Sequence, residues 1–490
     1  MSLSLILIIT YNIYFTYNIC YYINLDGEIM KSKLFGDKSF YKKTLAIALP
    51  IMIQQGLTSI VNLIDNFMVG SLGDPAIAGV ATVNQIMSIP TFCLVGATAG
   101  IGIYLSQFFG AKNTEKLKET FRFKILFTAL IVTAFTIIFA LYKEPIVKLF
   151  VDKDSDTTYA IDKAIEYLNI IIFTIVPLGV VQLYSSSMRE TKHTKIPMIT
   201  GIIAIIINVI LNYILIYGHF GAPKLGVTGA AIATLVARYV EAILLIVIGH
   251  FFKKYTFCHK SILPFRLSKD LMKNVVIKAT PLLMNEFLWS FGMTALFYAY
   301  SERGNLVVNA YNICSAVTNI FFITFSALAT AISIMVGNEL GAGNIEQAKE
   351  NSAKLITLGV IISIVVGFMI FGISFIIPNL YNVSEETKQL ARYFLWGNAV
   401  FMCVYMFNAG CFFTIRSGGA SLQAFIFDSG YTWIIQVPIA MILVKLTNLS
   451  IMQVFILVQC CDFLKAIVGV FFVKKGSWAR NLTISNKSSV

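Results

Sequence analysis

Charged side chains are scarce in this sequence. Only 13% of its 490 residues are Asp, Glu, Lys or Arg, 57% are hydrophobic, and the mean hydropathy is +0.77. Soluble domains carry about 25% charged residues, so this composition indicates an integral membrane protein. The ten-residue alternating segments of a transmembrane β-barrel are also missing. The apolar runs are instead about 20 residues or longer, which is the length of a membrane-spanning helix.

The residue patterns of a metalloenzyme are absent as well. The chain has four histidines, all in loops or at the ends of apolar runs, and its eight cysteines form no CxxC pair or Cys/His ligand spacing. Most of the cysteines lie within apolar runs, where a thiol is a small hydrophobic side chain. We therefore expect a protein that is not an enzyme and has no cofactor. A receptor or a channel has no support in the sequence.

The net charge of +13 does not indicate a nucleic-acid-binding protein. The Lys and Arg residues lie between the apolar runs, where a basic excess orients a membrane protein against the cytoplasmic leaflet. The alternation of strongly and weakly basic loops predicts a multi-pass protein of the cell membrane with both termini in the cytoplasm. Its expected surroundings are membrane lipid, and nucleic acid is not an expected partner.

Twelve apolar runs predict an all-α integral membrane protein with twelve transmembrane helices. The predicted spans are 44–69, 76–109, 123–142, 160–184, 196–217, 226–252, 274–300, 305–336, 352–377, 390–414, 421–444 and 450–473. The N-terminal extension, residues 1–29, begins with an apolar stretch of residues 1–25 that has no Lys or Arg and so lacks the basic n-region of a secretory signal. Two interpretations stay open: an upstream start codon, with Met30 as the natural beginning, or an additional span.

The sequence is internally repeated. "ALPIMIQQGLTS" from Ala48 matches "ATPLLMNEFLWS" from Ala279, and the same gapless register aligns "QFFGAKN" with "NELGAGN". One register without gaps over this length indicates duplication. Because each copy holds six spans, we expect an N-lobe of residues 30–262 and a C-lobe of residues 263–490. Parallel repeats of this kind are related by a pseudo-twofold axis along the membrane normal, with a cavity near the midplane.

Polar residues in the first span share one helical face. Gln55, Thr58, Asn62 and Asp65 follow one another at steps of three, four and three residues. A buried carboxylate is costly in a membrane, so Asp65 is expected to face the bundle or a water-filled cavity and to have a function. Thr58 and Asn62 have an equally good structural explanation, because such side chains often join neighbouring helices.

The other charges within the spans divide into pairs and single acids. Arg238 with Glu241, and Asp462 with Lys465, are spaced for pairing along one helix. Three acids are left without a helix partner: Asp65, Glu286 and Asp428. A surplus of buried carboxylates attracts cations, and each carboxylate can exchange a proton or a hard cation for another positive ligand. Antiport follows naturally from this chemistry.

The fifth and sixth spans offer partners for Asp65. Asn208 and Asn212 are four residues apart and share a face, although Asn amides more often join helices than bind ligands. The run "GVTGAAIAT" opens the sixth span with small residues that permit close helix packing, and Thr234 is its one candidate for another role.

From residue 30 to residue 483 the chain resembles the multidrug and toxic compound extrusion family. The resemblance rests on the order of several motifs: "ALPIMIQQ…DNFMVGSLG", "QFFGAKN", "SSSMRETKHTKIPM", "GVTGAAIAT", "PLLMNEFLWSFG", "NELGAGN" and "IRSGG". It implies a two-lobed exporter that moves cationic amphipathic compounds out of the cell against an inward Na⁺ or H⁺ gradient. By position, the family's cation site is expected at Asp65, Asn208, Asn212 and Thr234, and its C-lobe carboxylate at Glu286.

Two departures from the family pattern bear on the coupling ion. Some relatives have an acid at the position of Asn212, and others have one within span ten, where this chain has none between Arg392 and Arg416. A single carboxylate with neutral oxygens favours Na⁺, bound by Asp65, Asn208 and Asn212, over H⁺. Which ion is coupled stays open.

The expected mechanism is alternating access in a monomer. The cargo rests near Glu286, with Gln55, Asn62 and Asp428 as further substrate or coupling residues, and arrival of the cation at Asp65 bends span one at Pro50. The alternative function is a lipid-linked oligosaccharide flippase of the same superfamily. A pyrophosphate cargo requires unpaired arginines in the cavity, and none is expected from the sequence.

Overall fold

The computed structural model describes residues 34–70, 74–150, 157–259, 261 and 267–484. The N-terminal extension, residues 1–29, lies outside these residues. The described residues form twelve long helices, ten of them continuous or nearly so: α1 Lys38–Gly70, α2 Asp74–Gly110, α3 Thr114–Phe150, α5 Lys195–Tyr217, α6 Val227–Phe251, α7 Lys269–Ser301, α8 Asn305–Gly341, α9 Ile345–Ile373, α10 Glu385–Ser417 and α12 Ile451–Lys475.

Two helices change their winding along their length. Helix α4 runs from Thr157–Ile171 through a 3₁₀ turn at Ile172–Thr174 into Ile175–Glu190. Helix α11 begins at Ser421–Phe425, widens into π-helical turns at Ile426–Gly430 and Thr432–Gln436, and ends with Val437–Leu446. Helix α1 continues through Pro50 without interruption, so the predicted hinge lies inside a continuous helix.

Each predicted span corresponds to one helix, which confirms the all-α fold with twelve helices. Eleven of the described helices are long and apolar enough to cross a membrane. The exception is α7, which begins with the charged sequence "KDLMK" and also contains Lys278 and Glu286. The two halves repeat in length: α1 and α7 have 33 residues each, α2 and α8 have 37, and α6 and α12 have 25.

The helices divide into two compact units. The first unit comprises Leu49–Leu105 and Asn113–Leu283, and the second comprises the described residues of 284–484 with 34–48 and Ser106–Lys112. The boundary therefore falls inside α7, later in the chain than the predicted lobe boundary at residue 263. The last turn of α2 is grouped with the second unit.

The core of the first unit joins α2, α4 and α6. Fully buried Ile86, Leu168 and Ala231 belong to one apolar cluster that also includes Ile175, which follows the 3₁₀ turn of α4. Within a membrane, where lipid tails are as apolar as these side chains, their packing stabilises the unit through van der Waals contacts. These packed helices position the polar residues described below.

In the second unit, the ends of α2 and α8 cross at glycines. A Cβ atom added at Gly110 would overlap the carbonyl group of Asn338, and one added at Gly341 would overlap that of Gln107. The two contacts are equivalent under the register of the internal repeat, which aligns Gly110 with Gly341 and Gln107 with Asn338. The backbones approach so closely because neither glycine has a side chain, as in other close helix crossings.

The chain segment after α12 packs back onto the second unit. Trp478 is fully buried, and its indole donates a hydrogen bond to the carbonyl of Val473 at 3.0 Å. The buried Gln107 side chain donates to the carbonyls of Ser417 (3.1 Å) and Arg480 (3.2 Å) and accepts from the amide of Leu482 at 2.7 Å. Three chain segments thus meet at one glutamine.

The loop after α6 is ordered by a buried thiol. Cys258 donates to the carbonyl of Gly249 at 2.7 Å, and burial raises the pKa of this thiol to about 12. It is one of seven cysteines in the described part of the chain, all of which are free. Cys20 lies outside that part.

Candidate functional site

The first unit encloses a cavity of about 640 Å³ lined by α1, α2, α4, α5 and α6. This volume is within the range of small-molecule sites, about 300–1,000 Å³. Its lining combines apolar side chains, among them Met87, Phe92 and Leu178, with amides, hydroxyls and charged groups. A mixed lining of this kind suits an amphipathic ligand.

Helix α1 presents a polar face to this cavity, but not the one predicted. Gln54, Thr58 and Asp65 line the cavity, whereas Gln55 is not among the lining residues. Thr58 follows Gln54 by four residues and Asp65 follows Thr58 by seven, which keeps these three side chains on one face. The side chain of Gln55 is rotated by about 100° from that of Gln54. The assignment of Gln55 to the Asp65 face was therefore wrong. The side chain of Asn62 lies outside the described part of the structure.

Asp65 is held by amides from α5. The Nδ2 atom of Asn212 donates to Asp65 Oδ1 at 2.6 Å. With its amide turned so that nitrogen faces the carboxylate, Asn208 also donates to Oδ1 (3.1 Å) and Oδ2 (3.3 Å). The structure thus brings together Asp65, Asn208 and Asn212, the three residues that the sequence assigned to a cation site.

Thr234 completes this cluster together with a residue that the sequence did not single out. The Thr234 hydroxyl lies 3.4 Å from the Asn208 amide and is hydrogen-bonded to Tyr167 of α4. Tyr167 is buried, lines the cavity and interacts electrostatically with Asp65. The sequence around Tyr167 gave no indication of this role, because the contact is between helices.

One oxygen of the cluster lacks a partner. Asn212 is almost fully buried, and among the described residues its Oδ1 atom has no hydrogen-bond donor. An unsatisfied buried carbonyl oxygen is costly, and hard cations prefer carboxylate and carbonyl oxygens. With the Asn212 amide turned so that its oxygen faces Asp65, the residues fit a small cation held by Asp65, this oxygen and the Thr234 hydroxyl.

Basic residues near Asp65 are engaged elsewhere. Within the described residues Asp65 forms no ion pair, and Arg238, which attracts it through space, binds Glu241 at 2.9 Å. The predicted pairing of Arg238 with Glu241 is thus confirmed. Asp65 keeps a carboxylate that faces the cavity without direct neutralisation.

Arg189 is a second charged group of the cavity wall. Its neighbours in the electrostatic field are Glu190 and Glu241, but Lys124 binds Glu190 at 2.9 Å and Arg238 binds Glu241 at 2.9 Å. The Arg189 guanidinium itself forms no hydrogen bond or ion pair with the residues that the structure describes. The expectation that no unpaired arginine lines a cavity was therefore wrong.

The two acids of the second unit that were predicted to lack a partner, Glu286 and Asp428, each have a basic partner. Glu286 lies 3.5 Å from Arg416 of α10, and Asp428 lies 2.7 Å from Lys465 of α12. Both acids had been interpreted as unpaired because the sequence shows only partners on the same helix.

The predicted pair of Asp462 with Lys465 is also replaced by other contacts. Lys465 binds Asp428, which in addition accepts a hydrogen bond from Asn285 at 3.0 Å. Asp462 instead accepts from Gln436 at 3.0 Å. Of the three acids expected to stand alone, only Asp65 has no ion-pair partner among the described residues.

The sequence of this chain matches a known protein family. The family model MatE matches residues 50–214 and 281–442. The probable multidrug resistance protein YoeA of Bacillus subtilis is 25% identical over 424 residues, covering 85% of this chain and 90% of its own. The probable multidrug resistance protein NorM of Thermotoga maritima is 23% identical over 454 residues, covering 91% and 95%.

A solved structure shares the fold. The crystal structure of MATE in the bent conformation matches with a TM-score of 0.81 at 20% sequence identity, over 90% of this chain and 96% of that one. At this identity the likeness concerns the fold alone.

Proposed function

This chain belongs to the MatE family, and we propose from that premise that it exports cationic amphipathic compounds from the cytoplasm in exchange for an inward-moving cation. Relatives that match most of its length are described as multidrug resistance proteins. The proposed location is the cell membrane, in contact with membrane lipid, with both termini in the cytoplasm. The proposed working form is a monomer.

The observation that carries this proposal is the state of Asp65. A carboxylate costs free energy in a membrane interior, yet Asp65 faces a cavity and is held only by neutral amides in the described structure. Such a group binds a cation whenever one arrives. Exchange follows because Asp65 has one negative charge and can balance only one cation at a time, so the coupling ion and the cargo bind in turn.

We propose Na⁺ as the coupling ion, with H⁺ as the alternative. A single carboxylate surrounded by neutral amide and hydroxyl oxygens supports a metal cation, because hard cations prefer oxygen ligands of this kind. In the described arrangement the Asn212 amide presents its nitrogen to Asp65. Cation binding therefore requires the amides of Asn208 and Asn212 to turn, which moves α5 side chains against α1.

In the proposed exchange, the cargo and the coupling ion compete for the negative charge of Asp65. A cationic cargo contacts Asp65 and the apolar surfaces of Met87 and Phe92, and neutralisation of Asp65 by the coupling ion weakens that contact. Rearrangement of α1 near Pro50 is the proposed conformational step. For Glu286 and Asp428 we propose a role in coupling rather than direct attraction of cargo, since Arg416 and Lys465 already neutralise them.

The second candidate is a lipid-linked oligosaccharide flippase. Arg189 favours it, because a pyrophosphate requires free cations. Asp65 and Glu241 line the same cavity, however, and repel a ligand with several negative charges. Export of positively charged compounds agrees better with this lining.

The test is transport of a fluorescent organic cation in everted membrane vesicles, with Na⁺ and pH gradients imposed separately. We expect the D65N variant to lose gradient-driven transport by about tenfold or more, which corresponds to about 1.4 kcal/mol of lost ion binding. The control is D162N, which removes an exposed acid from α4 of the same unit. Gradient-driven transport that persists in D65N, or that D162N abolishes equally, contradicts the proposal.

A further inference from the structure

The cavity of the first unit has two ends of opposite charge. Gln54 and Asp65 on α1 both line it and are eleven residues apart, as are Gly201 and Asn212 on α5. At 1.5 Å for each helical residue, the lining extends about 16 Å along the helices. Asp65 lies towards one end, and Glu241 lies near Gly201 towards the other.

The end that contains Glu241 carries an excess positive charge. Its charged lining residues are Arg189, Arg238 and Glu241, which are two cations and one carboxylate. Arg238 and Glu241 form an ion pair at 2.9 Å, so one cation and the carboxylate neutralise each other. Arg189 is left as the cation without a partner among the described residues. A charge removed from bulk water without a partner is unfavourable, so this position favours a ligand that supplies one.

The second unit has the same basic position but neutralises it. Arg189 and Arg416 are both the penultimate residues of their helices, α4 and α10. Arg416 lies 3.5 Å from Glu286, and the register of the internal repeat places Gln55 at the Glu286 position. The first half has therefore kept the arginine and has a neutral amide where the acid stands in the second half.

A second pair of charges is reversed between the halves. Helices α6 and α12 have equal lengths, and when they are aligned end to end "RYVEAI" from Arg238 falls on "DFLKAI" from Asp462. Arginine and glutamate in the first half thus correspond to aspartate and lysine in the second. The two halves share helices and spacing but have opposite charge at corresponding positions.

We propose that Arg189 binds the carboxylate of an amphoteric cargo whose amine is directed towards Asp65, so that zwitterionic compounds are preferred to simple cations. This inference rests on the proposed function. A guanidinium binds a carboxylate through two parallel hydrogen bonds, which adds both free energy and orientation. One free arginine matches one carboxylate, and the carboxylates of Asp65 and Glu241 disfavour ligands with more negative charge.

The test compares two dyes that differ in one group. Tetramethylrhodamine carries a free carboxylate and is zwitterionic at neutral pH, whereas its methyl ester is a cation of nearly the same shape. Binding of each dye to the purified full-length protein is measured by fluorescence polarisation. We expect the carboxylate form to bind about tenfold more tightly, which is the typical effect of one charge-assisted hydrogen-bonded pair.

The variant R189Q should abolish this preference. The carboxylate dye is expected to bind about tenfold more weakly. The cationic ester should bind as tightly as before or more tightly, because a positive charge has been removed from the cavity, and its binding shows that the variant is folded. The matched control is R122Q, which removes a cation from α3 that does not line the cavity and that donates to the Ser261 carbonyl. It should preserve the preference.

Two results would overturn the inference and leave the proposed function intact. One is equal binding of the two dyes by the wild-type protein, and the other is a preference that survives in R189Q. If neither dye binds, export of organic cations fails as well, and the inference falls with it.

Discussion

At the scale of single residues, Asp65 is distinguished from the other buried acids by the kind of partner it has. Glu286 and Asp428 each lie beside a cation, whereas Asp65 accepts hydrogen bonds from the neutral amide of Asn212 and, in one orientation, Asn208. Amides lower the cost of burying a carboxylate without cancelling its charge. This difference makes Asp65 available to an exchangeable cation.

Replacing the amide at position 212 should change the coupling ion. In N212D two carboxylates would stand within hydrogen-bond distance, since Asn212 Nδ2 lies 2.6 Å from Asp65 Oδ1. Two such groups cannot both ionise easily and tend to share a proton. We expect transport driven by a pH gradient to rise relative to transport driven by Na⁺, by about tenfold for each 1.4 kcal/mol of change in coupling free energy.

Vesicle assays with one gradient at a time measure this ratio. N84D is the control, because Asn84 lines the same cavity and forms no hydrogen bond with Asp65 in the described structure. An unchanged dependence on Na⁺ in N212D would refute the assignment of Asn212 to the ion site.

The residue pairs also show what a sequence can predict about a site. Spacing along one helix correctly predicted Arg238 with Glu241, and it brought Asn208 and Asn212 onto one face. It failed for Lys465, whose partner Asp428 lies on a different helix. Contacts between helices depend on tertiary packing, and no spacing rule within one helix can reveal them.

At the scale of helices, the crossing of α2 and α8 depends on two glycines. Any side chain at Gly341 would overlap the carbonyl of Gln107, and the equivalent holds for Gly110 and Asn338. We expect G341A to be destabilised by about 1–3 kcal/mol, the usual cost of overpacking a tight contact. The measurement is the apparent Tm of the purified protein.

G372A provides the matched control for this substitution. Gly372 is an exposed helical glycine with no neighbouring atom within 4 Å of an added Cβ. Alanine there should be neutral or slightly stabilising, because glycine weakens a helix by about 0.5–1 kcal/mol relative to alanine. Equal Tm values for the two variants would show that the α2–α8 contact tolerates displacement.

Helix α11 was predicted as one span, and its π-helical turns were not. The apolar run of 421–444 agrees with the helix, which ends at Leu446. Hydropathy indicates the length of a span but not which backbone carbonyl each backbone amide bonds to. The π-helical turns around Asp428 therefore could not be predicted from it. Such turns are frequent at functional positions, which supports the proposed coupling role of Asp428.

At the scale of the whole molecule, the segment after α12 is part of the fold. Trp478 is fully buried, and Gln107 binds the Arg480 carbonyl and the Leu482 amide. We expect W478A to lose about 3–5 kcal/mol, as for other large buried side chains. The apparent Tm and the yield of folded protein test this, and the control is F471A, since Phe471 is 60% exposed.

A W478A variant as stable as F471A would contradict this account. A truncation after Lys475 would remove Trp478 and also two of the three hydrogen bonds of Gln107, those with Arg480 and Leu482. Comparison of the truncation after Lys475 with W478A separates loss of these hydrogen bonds from loss of the tryptophan.

The global architecture was the most predictable level. Apolar runs long enough to span a membrane predicted twelve helices, and the single gapless register of the repeat predicted two halves. Both signals can be read directly from the order of residues, without knowledge of tertiary contacts. The division of the chain was less accessible, since the compact units separate within α7 at Leu283 and include the last turn of α2 with the second half. Such grouping depends on contacts far apart in the sequence.

The reversed charges of α6 and α12 limit how the two halves can be exchanged. A chimera in which the sequence of α6 replaces that of α12 would bring glutamate to the position where Lys465 now lies 2.7 Å from Asp428. It would also bring arginine to the position of Asp462, which now accepts from Gln436. Helix α6 therefore cannot replace α12 without placing a glutamate beside Asp428, although the two helices have the same length.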